Sequence, residues 1–321
     1  MDQQTDNIRI PSESFQTLIS RLYQSVDVPE ADADTVARMQ VETDERGVYS
    51  HGTRVLPGYV RGIIKGGINP KPAPRVLTEA PATALIDADN SLGHGAAACF
   101  AMMALPAKMI GFSTTKTGGA SVVPHGGSSG LLGNHPIAYA IPTQAEPPIV
   151  LDMACGWIAW GHVGTYAIEE KQLPFGWALD ADGKPTRDPS LARGMLTVGG
   201  YKGHGLAIVM SILGGVLTGG PAACNRGAET PPELARRGHF FYAVKVDNFS
   251  SIDEFTARVD EEIRTIRNAK RADGVDRIYL PGEIEWLHQQ EAQRDGIPLH
   301  QKHLKALEDL ADELSVEVFW R

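Results

Sequence analysis

The chain has few cysteines, few aromatics and an excess of acids over bases. Its three cysteines, Cys99, Cys155 and Cys224, are widely spaced and odd in number. That argues against a disulfide framework or a clustered zinc site and fits a reducing cytoplasm. Aromatic residues make up only 7% of the chain, and 30 basic side chains face 39 acidic ones, for a net charge of -9. A general nucleic-acid binder needs a basic face that releases counterions from phosphates, so that class is excluded. Long apolar runs are missing too. Leu206 to Leu217 is the nearest to one, and its length suits a buried helix rather than a membrane span. The start, Met1-Asp2-Gln3-Gln4-Thr5-Asp6, is polar and acidic, unlike the basic and then apolar opening of a secretion signal.

Acids are absent locally as well. Between Asn90 and Ala145 there is no Asp or Glu, where the chain's average density would place about seven. Such a stretch accepts phosphates or carboxylates without repulsion, and Gly118, Gly119, Gly126, Gly127, Gly130 and Gly133 let backbone approach a ligand closely. A buried set of glycine-rich strands and turns is the alternative reading.

What is present begins with 42% hydrophobic residues and 34 glycines in 321 residues, enough for a substantial core in two domains or one large elaborated one. Phe15, Leu18, Ile19, Leu22 and Val26 recur at helical spacing, and a second helix is expected over Ala31 to Thr43. After the proline-rich crossing at 66–74, short apolar runs at Ala82 to Asp87, Ile137 to Ile141 and Ile149 to Leu151 predict strands. Helices are expected again at Ser251 to Asn268, Glu285 to Arg294 and His300 to Leu314, where Leu304, Leu307, Leu310 and Leu314 form an apolar stripe.

The segment Glu45-Arg46-Gly47-Val48-Tyr49-Ser50-His51-Gly52-Thr53-Arg54 suits a small carboxylate substrate. Arg54 can grip a carboxylate through two charge-assisted hydrogen bonds, and His51 titrates near neutrality. If a helix starts with Ser50 as its cap, His51 and Arg54 share a face. A packed histidine beside a solvated arginine is the alternative.

The run Arg46-Gly47-Val48-Tyr49-Ser50-His51-Gly52 resembles the signature of the type II malate/L-lactate dehydrogenase family, which reduces 2-oxo acids with NADH or NADPH. Ile149 to Ala154, Gly176 to Gly183, Pro185-Thr186, Asp188-Pro189, Gly199 to Gly203 and Leu280 to Glu283 follow in the family's order, so the resemblance covers nearly the whole chain. It implies an α+β fold, with a mixed central sheet domain of non-Rossmann type and a discontinuous helical domain built from both termini. The divisions expected are 1–78, 79–250 and 251–321. It also implies a homodimer, NAD or NADP as cofactor, and a small 2-oxo or 2-hydroxy acid as substrate.

By that resemblance His94 is the proton donor, while His51, Arg54 and Ser50 bind substrate; the roles of the two histidines are exchangeable. Thr117, Asp152, Met153, Ala154, Lys202, Gly282 and Glu283 are expected at the cofactor. Gly199 to Gly205 reads as a loop ahead of an apolar helix, whose free N–H groups and Lys202 would receive an anion. The chain also departs from the family. About one helix and one strand are missing before His94, Gly133-Asn134-His135-Pro136 replaces Gly-Thr-Asn-Pro, and Ala154-Cys155-Gly156 replaces Ala-Thr-Ser. The missing support motivates a rival reading as a non-catalytic ligand-binding or assembly protein. It also motivates a third, a poorly folded chain.

Three other motifs are set aside. Gly93-His94-Gly95-Ala96-Ala97-Ala98 fits a dinucleotide fingerprint but lacks the acid expected about twenty residues later. Asp180-Ala181-Asp182-Gly183 lacks the later ligands of a calcium loop and reads as a turn. His300 and His303, without a third ligand, read as surface histidines rather than a metal site.

Overall fold

The computed structural model describes residues 7–168, 170–220 and 238–320, and Cys224 lies outside them. The chain divides into two compact units, one drawn from Met1–Ala96 and Glu283–Arg321, the other from Ala97–Gly282.

In the first unit the two ends of the chain meet in a small sheet. Strand β1 (Asn7–Ile10) pairs antiparallel with β11 (Ile297–His300). Helix α1 (Ser12–Gln24) turns Phe15, Leu18, Ile19 and Leu22 inward, as its spacing dictates. Against it lie α2 (Glu30–Glu45), through Ala33, Ala37 and Val41, and α9 (Gln301–Glu313), through Leu304, Leu307, Leu310 and Ala311, in one apolar core. Helix α3 (Leu56–Ile64) adds Leu56, Val60 and Ile63, and α8 (Glu283–Asp295) adds Ala292. A hairpin of β2 (Arg75–Ala80) and β3 (Thr83–Asp87) completes the unit. This is the discontinuous helical domain expected from both termini.

The second unit is built on a four-stranded sheet in the order β10-β4-β5-β6, comprising His239–Lys245, Met109–Thr115, Ile137–Ile141 and Ile149–Met153. All of its ladders are antiparallel. An isolated parallel bridge joins Val122 and Met195 outside this sheet. Parallel neighbours need a crossover of a dozen or more residues, usually carrying a helix. Only seven residues separate β5 from β6. Helix α4 (Ala97–Met102) lays Ala97, Ala98 and Ala101 against Ala138, Ala140 and Val150, where small side chains permit close approach.

Helix α5 (Trp160–Ile168) follows β6, and short strands β7 (Ala178–Leu179), β8 (Pro185–Thr186) and β9 (Gly194–Met195) form a second sheet. Helix α6 (Tyr201–Ser211) runs directly into a π-helical turn, Ile212–Val216. It starts earlier than expected, so Lys202 lies in its first turn rather than in a loop ahead of it.

Helix α7 (Ile252–Arg267) belongs to this second unit instead of joining the terminal helices. Its Asp260, 3% exposed, accepts the backbone N–H groups of Gln144, Ala145 and Glu146 at 3.1, 2.8 and 3.4 Å, which fastens the turn between β5 and β6. Arg267 clasps Glu146 at 2.7 Å beside it. Among the described residues, no helix is long and apolar enough to cross a membrane.

Replacing Asp260 by Ala strands these amides, and the expected loss is about 3 kcal/mol of stability. Urea unfolding of wild type and variant checks this; a difference under about 0.5 kcal/mol would mean that the turn holds without α7.

Candidate active site

The Arg46 to Arg54 segment is shaped by a buried acid. Asp44, in the last turn of α2, is fully buried, and its Oδ2 accepts both the Thr53 backbone N–H at 3.0 Å and the Thr53 hydroxyl at 2.6 Å. These bonds fix the start of a 3-10 turn, Thr53–Val55, that leads into α3. Ser50 does not cap a helix as expected; residues 49–52 form a turn, and the cap comes from Asp44 on another helix. The Ser50 hydroxyl lies 2.9 Å from His51 Nδ1 instead.

Two glycines make the turn possible. Gly47 has φ +76, and a Cβ there would meet His288 Nδ1 at 2.6 Å. At Gly52 a Cβ would lie 1.9 Å from Asp44 Oδ1.

The chain of bonds continues to α9. The Thr53 hydroxyl lies 3.0 Å from His303 Nε2. With the hydroxyl donating to Asp44, the contact suits a His303 proton on Nε2. His303 is largely buried and neutral, its pKa lowered to about 4 by burial and by the Arg54 cation beside it. Asp44 is raised to about 7 by burial, against the opposing bonds from Thr53. Reading His300 and His303 as a surface pair is thus corrected: His300 caps α9 by accepting the Lys302 N–H at 3.1 Å, while His303 faces inward. The described residues contain no group of His, Cys, Asp or Glu that could hold a metal ion.

His51 and Arg54 are exposed on this turn. Among the described residues, neither an ion pair nor a hydrogen bond engages the Arg54 guanidinium. Its charge therefore remains available to an incoming carboxylate.

His94, 9% exposed, belongs to the same unit. The segment that leads to His94 is braced by loop hydrogen bonds. Asn69 N–H donates to Asn90 O at 3.0 Å, the Asn90 amide donates to Gly67 O at 3.0 Å, and Asp89 accepts from the Asn69 amide and from Ala73 N–H at 2.9 and 3.0 Å. Asp89 and Asn90 take left-handed backbone, with φ of 53 and 55, which short polar side chains tolerate. Gly93 lies against Tyr59 of α3.

In the second unit, the end of β6 and the start of α6 are joined. Gly156 bridges Thr197, and Val198 N–H donates to Cys155 O at 2.9 Å, which sets Asp152, Met153 and Ala154 near the loop that precedes Lys202. The Lys202 ammonium is exposed and meets no carboxylate among the described residues. Asp152 uses an oxygen to accept Ala98 N–H at 2.8 Å and so caps α4.

The two sequence departures interlock here. Asn134 accepts Gly156 N–H at 2.8 Å, its carbonyl accepts Cys155 N–H at 3.0 Å, and the Cys155 thiol donates to His135 O at 3.1 Å. Burial pushes the Cys155 thiol up to about 12, so it serves packing rather than nucleophilic chemistry. Thr117 N–H donates to His135 Nδ1 at 3.2 Å on the same scaffold. Gly282, with φ +82, backs against Val150, and Glu283 is 3% exposed in the first unit. Sequence reasoning missed Asp44, Thr53 and His303.

Asp44 and His303 give opposed pH dependences. Between about pH 4 and 7 folded Asp44 keeps a proton that the unfolded chain has lost, so its contribution to stability falls as pH rises. Between about pH 4 and 6.5 folded His303 lacks a proton that the unfolded chain holds, so its contribution falls as pH drops. In the wild type the slopes cancel over the shared window. His303→Gln is expected to lose stability relative to wild type from pH 4.5 to 6.5, and Asp44→Asn from pH 6.5 to 4.5, each by at most about 1.4 kcal/mol per pH unit. Urea unfolding of the three proteins across that range checks the signs, and parallel profiles would contradict both shifts.

Comparison with known proteins follows the same outline. The family profile described as malate/L-lactate dehydrogenase matches residues 10–99 and 94–308, two segments that overlap at 94–99. A malate dehydrogenase of Pyrococcus horikoshii is 33% identical over 97% of this chain and 96% of its own. A ureidoglycolate dehydrogenase (NAD(+)) of Escherichia coli K12 is 29% identical over 91% and 93%. The solved malate dehydrogenase of Pyrococcus horikoshii OT3 superposes with a TM-score of 0.87 at 30% identity, covering 98% of this chain and 97% of that one. The chain belongs to the malate/L-lactate dehydrogenase family of enzymes.

Proposed function

We propose that this protein is a nicotinamide-dependent reductase of small 2-oxo acids, acting reversibly on the corresponding 2-hydroxy acids. The observation that carries the reading is the Arg54 guanidinium, unpaired among the described residues, on a fixed turn with His51. In this reading Arg54 grips the substrate carboxylate in bidentate fashion. His51, oriented through Nδ1 by Ser50, presents Nε2 to the oxygen on the adjoining carbon. His94 gives the proton that the developing alkoxide needs. A bound nicotinamide cofactor supplies the hydride.

The donor set of the second unit suits an anionic dinucleotide. Lys202, in the first turn of α6, meets no carboxylate among the described residues, Thr117 lies within the acid-free stretch, and the exposed Gly126 and Gly127 add no charge. Asp152, Met153 and Ala154 are joined to the same region through Gly156 and Thr197. Asn69, Asp89 and Asn90 brace the segment that leads to His94, which speaks against the lost support that motivated a non-catalytic reading. Malate, lactate, ureidoglycolate and cyclic imino acids differ in the group beyond the shared carboxylate, and each is a candidate substrate skeleton.

Titration with NADH and NADPH, followed by nicotinamide fluorescence, is expected to saturate with at least one of them. A panel of 2-oxo acids then consumes the reduced cofactor. A folded sample that binds neither cofactor overturns the proposal. Arg54→Gln is expected to raise KM for the 2-oxo acid by about a hundredfold while cofactor binding stays unchanged. His94→Ala is expected to lower kcat by at least about a hundredfold with cofactor binding retained; unaltered turnover would remove His94 as the proton donor.

A further inference from the structure

We infer that Asp44, Thr53 and His303 form a positioning relay that sets the Ser50 to Arg54 turn for substrate, so that these residues govern substrate affinity as well as the fold. The inference rests on the reading of Arg54 as the carboxylate anchor. The relay joins three elements: the last turn of α2, the 3-10 turn before α3, and the first turn of α9, with 250 positions between Thr53 and His303.

Its direction follows from the donors. Asp44 Oδ2 receives both Thr53 donors, which leaves the Thr53 oxygen's lone pairs for His303 and suits Nε2–H on that ring. In that tautomer Nδ1 is bare. Gly52 is pressed onto the other Asp44 oxygen, so the turn cannot settle closer to α2. Thr53 is fully buried and Arg54, the next residue, is exposed, so the relay grips the backbone one residue from the guanidinium.

Charge gives the relay a second consequence. A carboxylate in place of His303 would pair with Arg54 and compete with substrate. A neutral imidazole does not cancel the guanidinium's charge, and the Thr53 contact at 3.0 Å holds the ring. Asp44, Thr53 and His303 are positioning residues, since none of them needs to touch substrate.

The test uses the full-length protein and two substitutions at different points of the relay. Thr53→Val keeps shape but removes the hydroxyl, and Thr53→Ser restores it. His303→Leu removes the far end without altering α2. For each, Tm, the cofactor dissociation constant, and kcat and KM for the best 2-oxo acid are measured. Thr53→Val and His303→Leu are expected to raise KM about tenfold with kcat within about threefold and cofactor affinity unchanged, while Thr53→Ser returns KM to near wild type. Lower Tm with wild-type KM in both would overturn the relay and leave an ordinary structural bond. If Thr53→Val does not fold, His303→Leu and Thr53→Ser decide the matter by the same criteria.

A readout independent of turnover separates this inference from the function it rests on. Long-range 1H–15N histidine spectra are expected to show His303 neutral with its proton on Nε2 at pH 7, and Thr53→Val is expected to shift the His51 ring resonances as well. Absence of 2-oxo acid turnover in the wild type defeats the functional reading and leaves these spectra to judge the relay. Unshifted His51 resonances in a folded Thr53→Val, or His303 protonated on Nδ1, would falsify it.

Discussion

The first unit's chemistry depends on one buried acceptor. Asp44 lies without solvent at the end of α2 and takes two donors from Thr53 on a single oxygen. A carboxyl group removed from water must be bonded or neutralised, and its rise to about 7 shows the burial cost outweighing the bonds it receives. The alternative to the Thr53 bonds is a buried acid with fewer donors. The turn is therefore held as firmly as the core of α1, α2 and α9 behind it, and His51 and Arg54 inherit that precision.

The second unit uses backbone where the first uses a side chain. Its cofactor candidates are set by the bridge from Gly156 to Thr197 and by the reciprocal bonds of Asn134, His135 and Cys155. The departures at 133–136 and 154–156 would each be disruptive if unaccompanied. Together they form one hydrogen-bonded patch set against the apolar core that holds Cys155. The segment before His94 is held in a comparable way, by a cluster of Asx hydrogen bonds and two left-handed residues.

Much of this architecture was legible in the sequence. The stripes of α1 and α9 announced their buried faces, and the Arg46 to Gly52 motif located the turn. Asp44 and His303 were missed because each reads in isolation as a solvated polar residue. Periodicity held the signal. Asp44 continues the inward face of α2 that runs through Ala33, Ala37, Gln40 and Val41, and His303 stands four and seven residues before Leu307 and Leu310. A polar residue in register with an apolar stripe is a buried residue in search of a partner. The partner itself, Thr53, was not legible, since it joins residues 250 positions apart. Sheet direction and the early start of α6 were likewise set by tertiary pairing rather than by local pattern.

The most direct measurement is a crystal structure of the protein with reduced nicotinamide cofactor and oxamate, an unreactive analogue of a 2-oxo acid. The account predicts the oxamate carboxylate on the Arg54 guanidinium, an imidazole of His51 or His94 at the adjoining oxygen, and the Asp44 to Thr53 bonds unchanged. Oxamate held by other residues, with Arg54 left in solvent, would contradict it.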